Sequence, residues 1–220
     1  MERSKTLLAD HPVNRRREEG EKRRASSIWL WGQGRAPTLP SLKERFGIEG
    51  GVISAVDIIN GLGVYAGLER IRVPGITGFF DTNYKGKGEY GLRALAEKDL
   101  IFIHVEAPDE AGHMGDLKNK IKAIEEFDEK VVGTLLEGMK QWPEWRLLLL
   151  PDHPTPIALK THVSDPVPFV LFSSDKKEEK HKQIGFNEFD AKQTGIVVKR
   201  AFHLIDALIG GRKPWTETSL

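Results

Sequence analysis

One stretch of this sequence constrains the fold more than any other: residues 100–116, LIFIHVEAPDEAGHMGD. It opens with an apolar run rich in β-branched and aromatic residues, which predicts a buried strand. The strand must end before Pro108, because proline cannot donate to a sheet ladder. Asp109 and His113 follow, four residues apart. The carboxyl end of a strand is where an open α/β sheet binds ligands, so the pair could hold a divalent cation; an N-capping acid beside a solvated histidine is the alternative.

A second stretch, residues 145–164, repeats this arrangement with WRLLLLPDHPTPIALKTHVS. Another short apolar run ends at Pro151, and Asp152, His153 and His162 come after it. Carboxylates and neutral imidazoles suit Mn²⁺ or Zn²⁺ and are poor ligands for Ca²⁺. The two stretches together supply more ligands than one tetrahedral site uses, which indicates two metal ions.

Strands and helices alternate along the chain, which predicts an α/β fold with a largely parallel sheet flanked by helices. We expect strands at 28–31, 52–56, 100–105, 147–150 and 166–172, with a strand and turn at 70–80. We expect helices at 57–68, from about 84 to 95, at 116–140 and at 197–209, with a charged surface loop at 173–183. Apolar residues recur every three or four positions in the third helix and predict one buried face: Leu117, Ile121, Ile124, Phe127, Val131, Leu135 and Met139.

Composition excludes several classes of partner. The 220 residues carry a net charge of +1 and no cysteine, so neither a nucleic acid nor an anionic membrane is favoured, and disulfides are absent. Residues 1–27 mix basic residues with glutamates and lack interleaved aromatics, which favours a solvated segment over a nucleic-acid arm. No apolar run approaches the roughly 18 residues that span a bilayer, and no signal peptide is recognisable, so we expect a cytoplasmic protein.

Four further residues are candidates for ligand contacts. Arg35 follows a glycine turn and could bind a phosphate or carboxylate, or be a surface arginine. Lys85 and Lys87 could contact a substrate phosphate, but exposed lysines at the polar start of a helix are the favoured interpretation. His104 lies in the apolar run at 100–105 and is interpreted as a hydrogen-bonded core histidine.

Taken together, these motifs resemble the cofactor-independent phosphoglycerate mutases, archaeal-type branch, of the alkaline phosphatase superfamily. The resemblance rests on HVEAPDEAGH, KIKAIEEFD, LPDHPTP and THVSDPVPFVLF, and extends over nearly the whole chain through ADHPVNRRR, IWLWGQGRAPTLPS, GGVISAVDIINGLGVYAGL and TGFFDTNYKGKGEYGL. It covers only the C-terminal half of such an enzyme. It implies that residues 1–40 are the returning limb of a substrate-binding cap and that 41–220 belong to an alkaline-phosphatase-like core.

The resemblance also implies roles for the candidate ligands. Asp109, His113 and His162 match the ligands of one metal, and Asp152 with His153 match part of the other. Two divalent ions are implied, Mn²⁺ first, with Zn²⁺ or Co²⁺ as alternatives. Arg35 is the implied substrate-binding residue. The implied reaction interconverts 3- and 2-phosphoglycerate through a phosphoserine, an isomerisation of glycolysis and gluconeogenesis.

The nucleophilic serine and the N-terminal aspartate of that family have no counterpart here. Ser54 lies on a predicted strand but belongs to a different family segment. The chain is therefore expected to be inactive alone and to need a missing N-terminal half or a partner chain. The alternatives are a non-catalytic metal-binding fragment or split subunit, and a sister phosphatase or phosphotransferase. If half of a fold is missing, apolar groups should be exposed at residues 28–31 and on the helix at 57–68.

Overall fold

The structure is a computed structural model that describes residues 1–175 and 185–210. The chain divides into two compact units, Met1–Thr38 and Leu39–Leu220. The division lies close to the boundary expected between residues 40 and 41. The functional roles expected for the two parts remain predictions.

The first unit consists of two short helices and an extended tail. Helix α1 spans Glu2–Ala9 and α2 spans Pro12–Glu19. The buried side chain of Asn14 ties α2 to both flanks, because its amide nitrogen donates to the Leu8 carbonyl at 2.6 Å and to the Ala25 carbonyl at 3.0 Å. The strand expected at 28–31 does not form; these residues have no regular secondary structure, and Trp31 is 82% exposed.

The second unit is built on a three-stranded parallel sheet with the order β2-β1-β3. The central strand β1 is Gly50–Ile53, and it pairs with β2 (Glu69–Arg70) and β3 (Leu100–Ile103). Every residue of β1 is buried, as expected for the middle of a parallel sheet. The fold class expected from the sequence is confirmed by this sheet and its flanking helices.

Helices connect and cover the strands. Helix α3 spans Leu42–Phe46 and begins with a capping box at Ser41. Helix α4, Asp57–Tyr65, connects β1 to β2, and α5, Tyr84–Leu95, precedes β3. The strand expected at 70–80 is reduced to β2, since Pro74-Gly75 turn the chain soon afterwards.

A second sheet has two strands, β4 (Arg146–Leu149) and β5 (Val170–Ser173). These strands run antiparallel, with Leu148 opposite Leu171. The largely parallel sheet expected from the sequence is β2-β1-β3, and this antiparallel pair forms a separate sheet.

A long helical stretch lies between the two sheets in sequence. Helix α6 is Ala107–Met114; α7 (Leu117–Phe127) continues through a π-helical turn, Asp128–Val132, into α8, Gly133–Met139. Asp116 caps α7 by accepting from the Asn119 N–H at 3.0 Å. The buried face expected along this stretch holds only in its second part, where Val131, Leu135 and Met139 are buried. In the first part the apolar residues Leu117, Ile121 and Ile124 are exposed.

The helices of the C-terminal region lie at other positions than expected. Helix α9, Glu188–Gln193, was not anticipated, and the helix expected at 197–209 is limited to a 3₁₀ turn, Ala201–His203, followed by α10, Leu204–Gly210. Most of the charged loop expected at 173–183 lies outside the described residues. No helix in the described part of the chain has the length and apolar character needed to cross a membrane.

The core joins α5, α6, α7 and α8. Its buried members are Tyr84, Ala107, Ala123, Val131, Leu135 and Met139. Outside this core, apolar side chains are exposed where the sequence predicted them, at residues 28–31 and on the outer side of α4: Ile28, Trp29, Leu30, Trp31, Ile58, Leu62, Val64 and Tyr65. Contiguous exposed apolar residues of this kind mark surfaces that another element covers.

Candidate metal centre

Helix α6 brings the first two candidate ligands together. We expected a loop here, but Pro108 occupies the first turn of a helix, where its missing N–H leaves no hydrogen bond unmade. Asp109 and His113 are then four residues apart on one helical face. The His113 Nε2 atom lies 3.3 Å from Asp109 Oδ2.

The irregular segment after β4 supplies the other candidates. His162 returns to α6, where its Nε2 lies 3.4 Å from Asp109 Oδ1 and 3.0 Å from His113 Nε2. The His153 and His162 rings stack with centroids 3.7 Å apart. One carboxylate and three imidazoles are thus gathered at one place, although His162 is 49 residues from His113 in sequence.

Three of the candidate ligands lie close enough together to share one ion. Donor atoms of Asp109, His153 and His162 all lie within 4.8 Å of one another. His113 adjoins this triad, whereas the side chain of Asp152 is 74% exposed and reaches it only through His153, at 3.5 Å from Nε2. The division of the five residues between two metals remains a prediction, because His153 lies close both to Asp109 and His162 and to Asp152.

Hydrogen bonds from neighbouring groups orient the imidazoles and the carboxylate. The Lys160 carbonyl lies 3.0 Å from His113 Nδ1, which must be the N–H donor because a carbonyl only accepts. In the neutral ring this leaves the Nε2 lone pair directed at Asp109 and His162. The Thr155 hydroxyl donates to Asp109 Oδ1 and lies 3.3 Å from His153 Nδ1, so one side chain positions a ligand from each stretch.

Close packing holds α6 against the loop that carries Thr155. A Cβ atom at Gly112 would lie 2.4 Å from the Thr155 carbonyl oxygen, so only glycine permits this approach. Gly115 ends α6 with φ of +71°, a left-handed conformation that favours glycine. The two glycines explain how α6 both reaches the loop and turns away after His113.

The surroundings of the centre carry negative charge that a cation would balance. Burial raises the pKa of Glu106, and the charges of Asp109, Glu110 and Asp152 raise it further. Burial lowers the pKa of Lys120, whose Nζ donates to the Thr155 carbonyl at 2.6 Å. The donor atoms, their oriented lone pairs and this charge balance fit a divalent cation.

A buried polar group beside the centre was only partly expected from the sequence. His104 contacts the Ser54 hydroxyl at 3.2 Å, which confirms the interpretation of a hydrogen-bonded core histidine.

Lys87 was expected to be exposed, which is wrong: it is 1% exposed and donates from Nζ to the His104 carbonyl at 2.8 Å. Lys85 is exposed and lies 3.6 Å from Glu89. The glycines at positions 88 and 91 let α5 pack closely against neighbouring elements, which is the signal that could have revealed a buried lysine.

Arg35 belongs to the first unit, in the exposed segment without regular secondary structure. Within the described residues it makes no hydrogen bond or ion pair. Its substrate-binding role remains a prediction. Ser54 is buried and its Oγ accepts from the Val56 N–H at 3.0 Å, so it is not presented as a nucleophile.

Comparison with known proteins extends this picture. A family model described as the metalloenzyme superfamily matches residues 7–202. A protein of Geobacter sulfurreducens named as a probable 2,3-bisphosphoglycerate-independent phosphoglycerate mutase is 50% identical over 209 residues, which are 95% of this chain and 52% of that protein. A mutase of Methanothrix thermoacetophila is 50% identical over 96% of this chain and 54% of its own length.

Two solved structures have a similar fold. A protein of Pyrococcus horikoshii matches 86% of this chain and 49% of its own with a TM-score of 0.75 and 25% identity. A cofactor-independent phosphoglycerate mutase of Thermoplasma acidophilum matches 95% of this chain and 49% of its own with a TM-score of 0.61; at 17% identity it supports the fold alone. The chain spans about half the length of the curated relatives it matches.

Proposed function

Because this chain belongs to the metalloenzyme superfamily, we propose that it is the C-terminal half of a 2,3-bisphosphoglycerate-independent phosphoglycerate mutase. The observation that carries the proposal is the convergence of Asp109, His153 and His162 donor atoms within 4.8 Å. A carboxylate and two imidazoles on a phosphatase-type α/β scaffold form a site that binds and neutralises a phosphoryl group through a divalent ion.

Each residue of the centre has a proposed part. Asp109, His153 and His162 hold the metal, and His113, which lies 3.0 Å from His162 Nε2, completes this shell. Asp152 is exposed beside His153 and is proposed to bind a second ion together with groups from outside this chain. The bound divalent ions would stabilise charge on the transferred phosphoryl oxygens and lower the pKa of an attacking hydroxyl. Thr155 and the Lys160 carbonyl keep the ligands in their binding orientation.

We propose Mn²⁺ as the metal, since a mixed carboxylate and imidazole shell suits it, with Zn²⁺ or Co²⁺ as replacements. The substrate is 3-phosphoglycerate and the product 2-phosphoglycerate, a step of glycolysis and gluconeogenesis in the cytoplasm. Arg35 is proposed to bind the substrate's phosphate or carboxylate. Ser54 is buried and hydrogen-bonded, and we propose that the phosphorylated serine comes from the other half. A sister phosphatase is not favoured, because the curated relatives are named as mutases.

Turnover of 3-phosphoglycerate tests this proposal. The purified chain alone should give no 2-phosphoglycerate above background in Mn²⁺ buffer, because it lacks the nucleophile. Co-expression with the part of the Geobacter sulfurreducens relative that this chain does not match should give turnover that Mn²⁺ stimulates. The product is measured by a coupled enolase assay.

The control for this experiment is His162→Ala, which removes a ligand while leaving the strands unchanged. It should abolish the turnover of the co-expressed pair, since the phosphoryl group would lose its metal. Phosphate release without 2-phosphoglycerate would indicate a phosphatase instead. Turnover by the purified chain alone, sensitive to His162→Ala, would show that a nucleophile lies within these residues.

A further inference from the structure

A cleft of about 470 Å³ separates the two sheets of the second unit. One wall is β3, the other is β4, and α8 contributes apolar side chains between them. Its lining is dominated by apolar residues from these elements, including Ile101, Ile103, Leu135, Met139, Trp145 and Leu148. The cleft therefore lies between the edges of two sheets that do not pair with each other.

The composition of β3 is that of a central strand, although its position is at an edge. The run from Leu100 to Ile103 is continuously apolar, which is typical of a strand with neighbours on both sides and cover on both faces. Yet β3 is only half-buried and Phe102 is 50% exposed, while β1 beside it is fully buried. Natural edge strands are protected by charges, prolines or bulges, and none interrupts β3.

The backbone groups on both walls point into the cleft. The Leu100 N–H donates to the Glu49 carbonyl, just before β1, at 3.3 Å, and the His104 N–H, just after β3, donates to the Ile53 carbonyl of β1 at 2.9 Å. Because alternate residues of a strand face opposite edges, Ile101 and Ile103 direct their N–H and C=O groups away from β1. In β4, the Trp145 carbonyl accepts from the Ser174 N–H at 3.0 Å, so by the same alternation Leu148 faces the cleft.

We infer that this cleft accepts at least one apolar β-strand from the missing N-terminal half, which joins β3 and β4 into a continuous sheet. Strand addition satisfies the free N–H and C=O groups on the two walls and buries the apolar lining in one step. The inference rests on the proposed function, because it takes the occupant to be the half of the enzyme that this chain does not contain.

The occupant is identified by length and by chemistry. The curated relatives are about twice as long as the matched region, which covers 52% of the Geobacter sulfurreducens relative. A segment of that length can supply extended strands, and the apolar walls require one with apolar side chains on its faces. Joining the sheets would also complete the edge formed by the carboxyl ends of the strands, where Asp109 follows β3 and Asp152 follows β4.

Matched proline substitutions test the inference. Leu148 and Leu171 lie directly opposite each other in the β4–β5 ladder, and their backbone groups face opposite outer edges. The full chain carrying Leu148→Pro or Leu171→Pro is co-expressed with a tagged copy of the unmatched part of the Geobacter sulfurreducens relative. Each proline removes one N–H from one edge, so only Leu148→Pro blocks the cleft.

Capture of the chain by the tagged half should fall about tenfold or more for Leu148→Pro and stay near the wild-type level for Leu171→Pro. Equal capture of both variants, or selective loss with Leu171→Pro, would overturn the inference. Hydrogen exchange of the wild-type chain provides a second readout that needs no variant: the Ile101, Ile103 and Leu148 amides should become protected in the complex. Unchanged exchange in a complex that forms would contradict strand addition.

These outcomes separate the inference from the proposed function. A complex that depends on Leu148 but shows no mutase turnover supports the cleft as the docking site and overturns the assigned reaction. A complex with mutase turnover that is insensitive to Leu148→Pro supports the reaction and overturns the docking site.

Discussion

Asp109→Asn should lower the affinity of the chain for Mn²⁺ by at least about 100-fold. This loss exceeds the roughly 10- to 100-fold effect of changing a residue that only hydrogen-bonds to a metal ligand. The amide keeps the shape of the side chain and still accepts from Thr155, so the local fold is retained. What is lost is the single carboxylate in the triad with His153 and His162. Isothermal titration with MnCl₂ measures the change.

Glu110→Gln is the matched control for that substitution. Glu110 is the next residue on α6, and it does not belong to the triad. Its substitution by glutamine removes the same charge as Asp109→Asn. Its variant should bind Mn²⁺ within a few-fold of the wild-type chain, since only long-range charge is lost. Similar losses in the two variants would mean that general negative charge, and no specific ligand, attracts the metal.

Lys87→Met should stabilise the chain at pH 7 by about 2 kcal/mol. Burial lowers the pKa of Lys87 from 10.5 to about 8, which corresponds to a penalty of about 3 kcal/mol for keeping the ammonium charged in the folded state. Methionine has a similar shape and no charge, so this penalty disappears. Part of the gain is offset because the His104 carbonyl loses its donor.

The pH dependence of the stability of the wild-type chain and of Lys87→Met separates the effect of charge from that of packing. Between about pH 8 and 10.5 the unfolded chain still holds the lysine proton that the folded chain has released. The unfolded state binds more protons there, so wild-type stability should rise with pH relative to Lys87→Met. Urea unfolding of both proteins from pH 7 to 10.5 measures this difference. A constant difference would show that Lys87 titrates normally.

Local sequence rules predicted the parts of the fold that local interactions determine. The apolar runs at 52–56 and 100–105 gave β1 and β3, and Asp116 caps α7 as expected. The candidate ligands could be found because both stretches place an aspartate and a histidine directly after a strand. The spacing of Asp109 and His113 already allowed one helical face, although Pro108 led us to expect a loop.

Features that depend on distant partners were missed. Residues 28–31 have a strand composition, but within the described residues no strand pairs with them. Leu117, Ile121 and Ile124 follow a helical period correctly, yet about half of each side chain stays exposed. The stacking of His153 on His162 arises from an irregular loop whose path no local pattern encodes. Sequence therefore predicted which residues are apolar and which could ligate, while their burial depends on contacts with other segments.

Metal content tests most directly the claim that this chain holds one metal site of a centre shared with another half. Inductively coupled plasma mass spectrometry is applied to the chain alone and to its complex with the unmatched part of the Geobacter sulfurreducens relative, each after Mn²⁺ loading and desalting. The account predicts about one Mn²⁺ per chain alone and about two per complex, because the second site is completed across the halves. About two ions in the chain alone, or no gain on forming the complex, would contradict it.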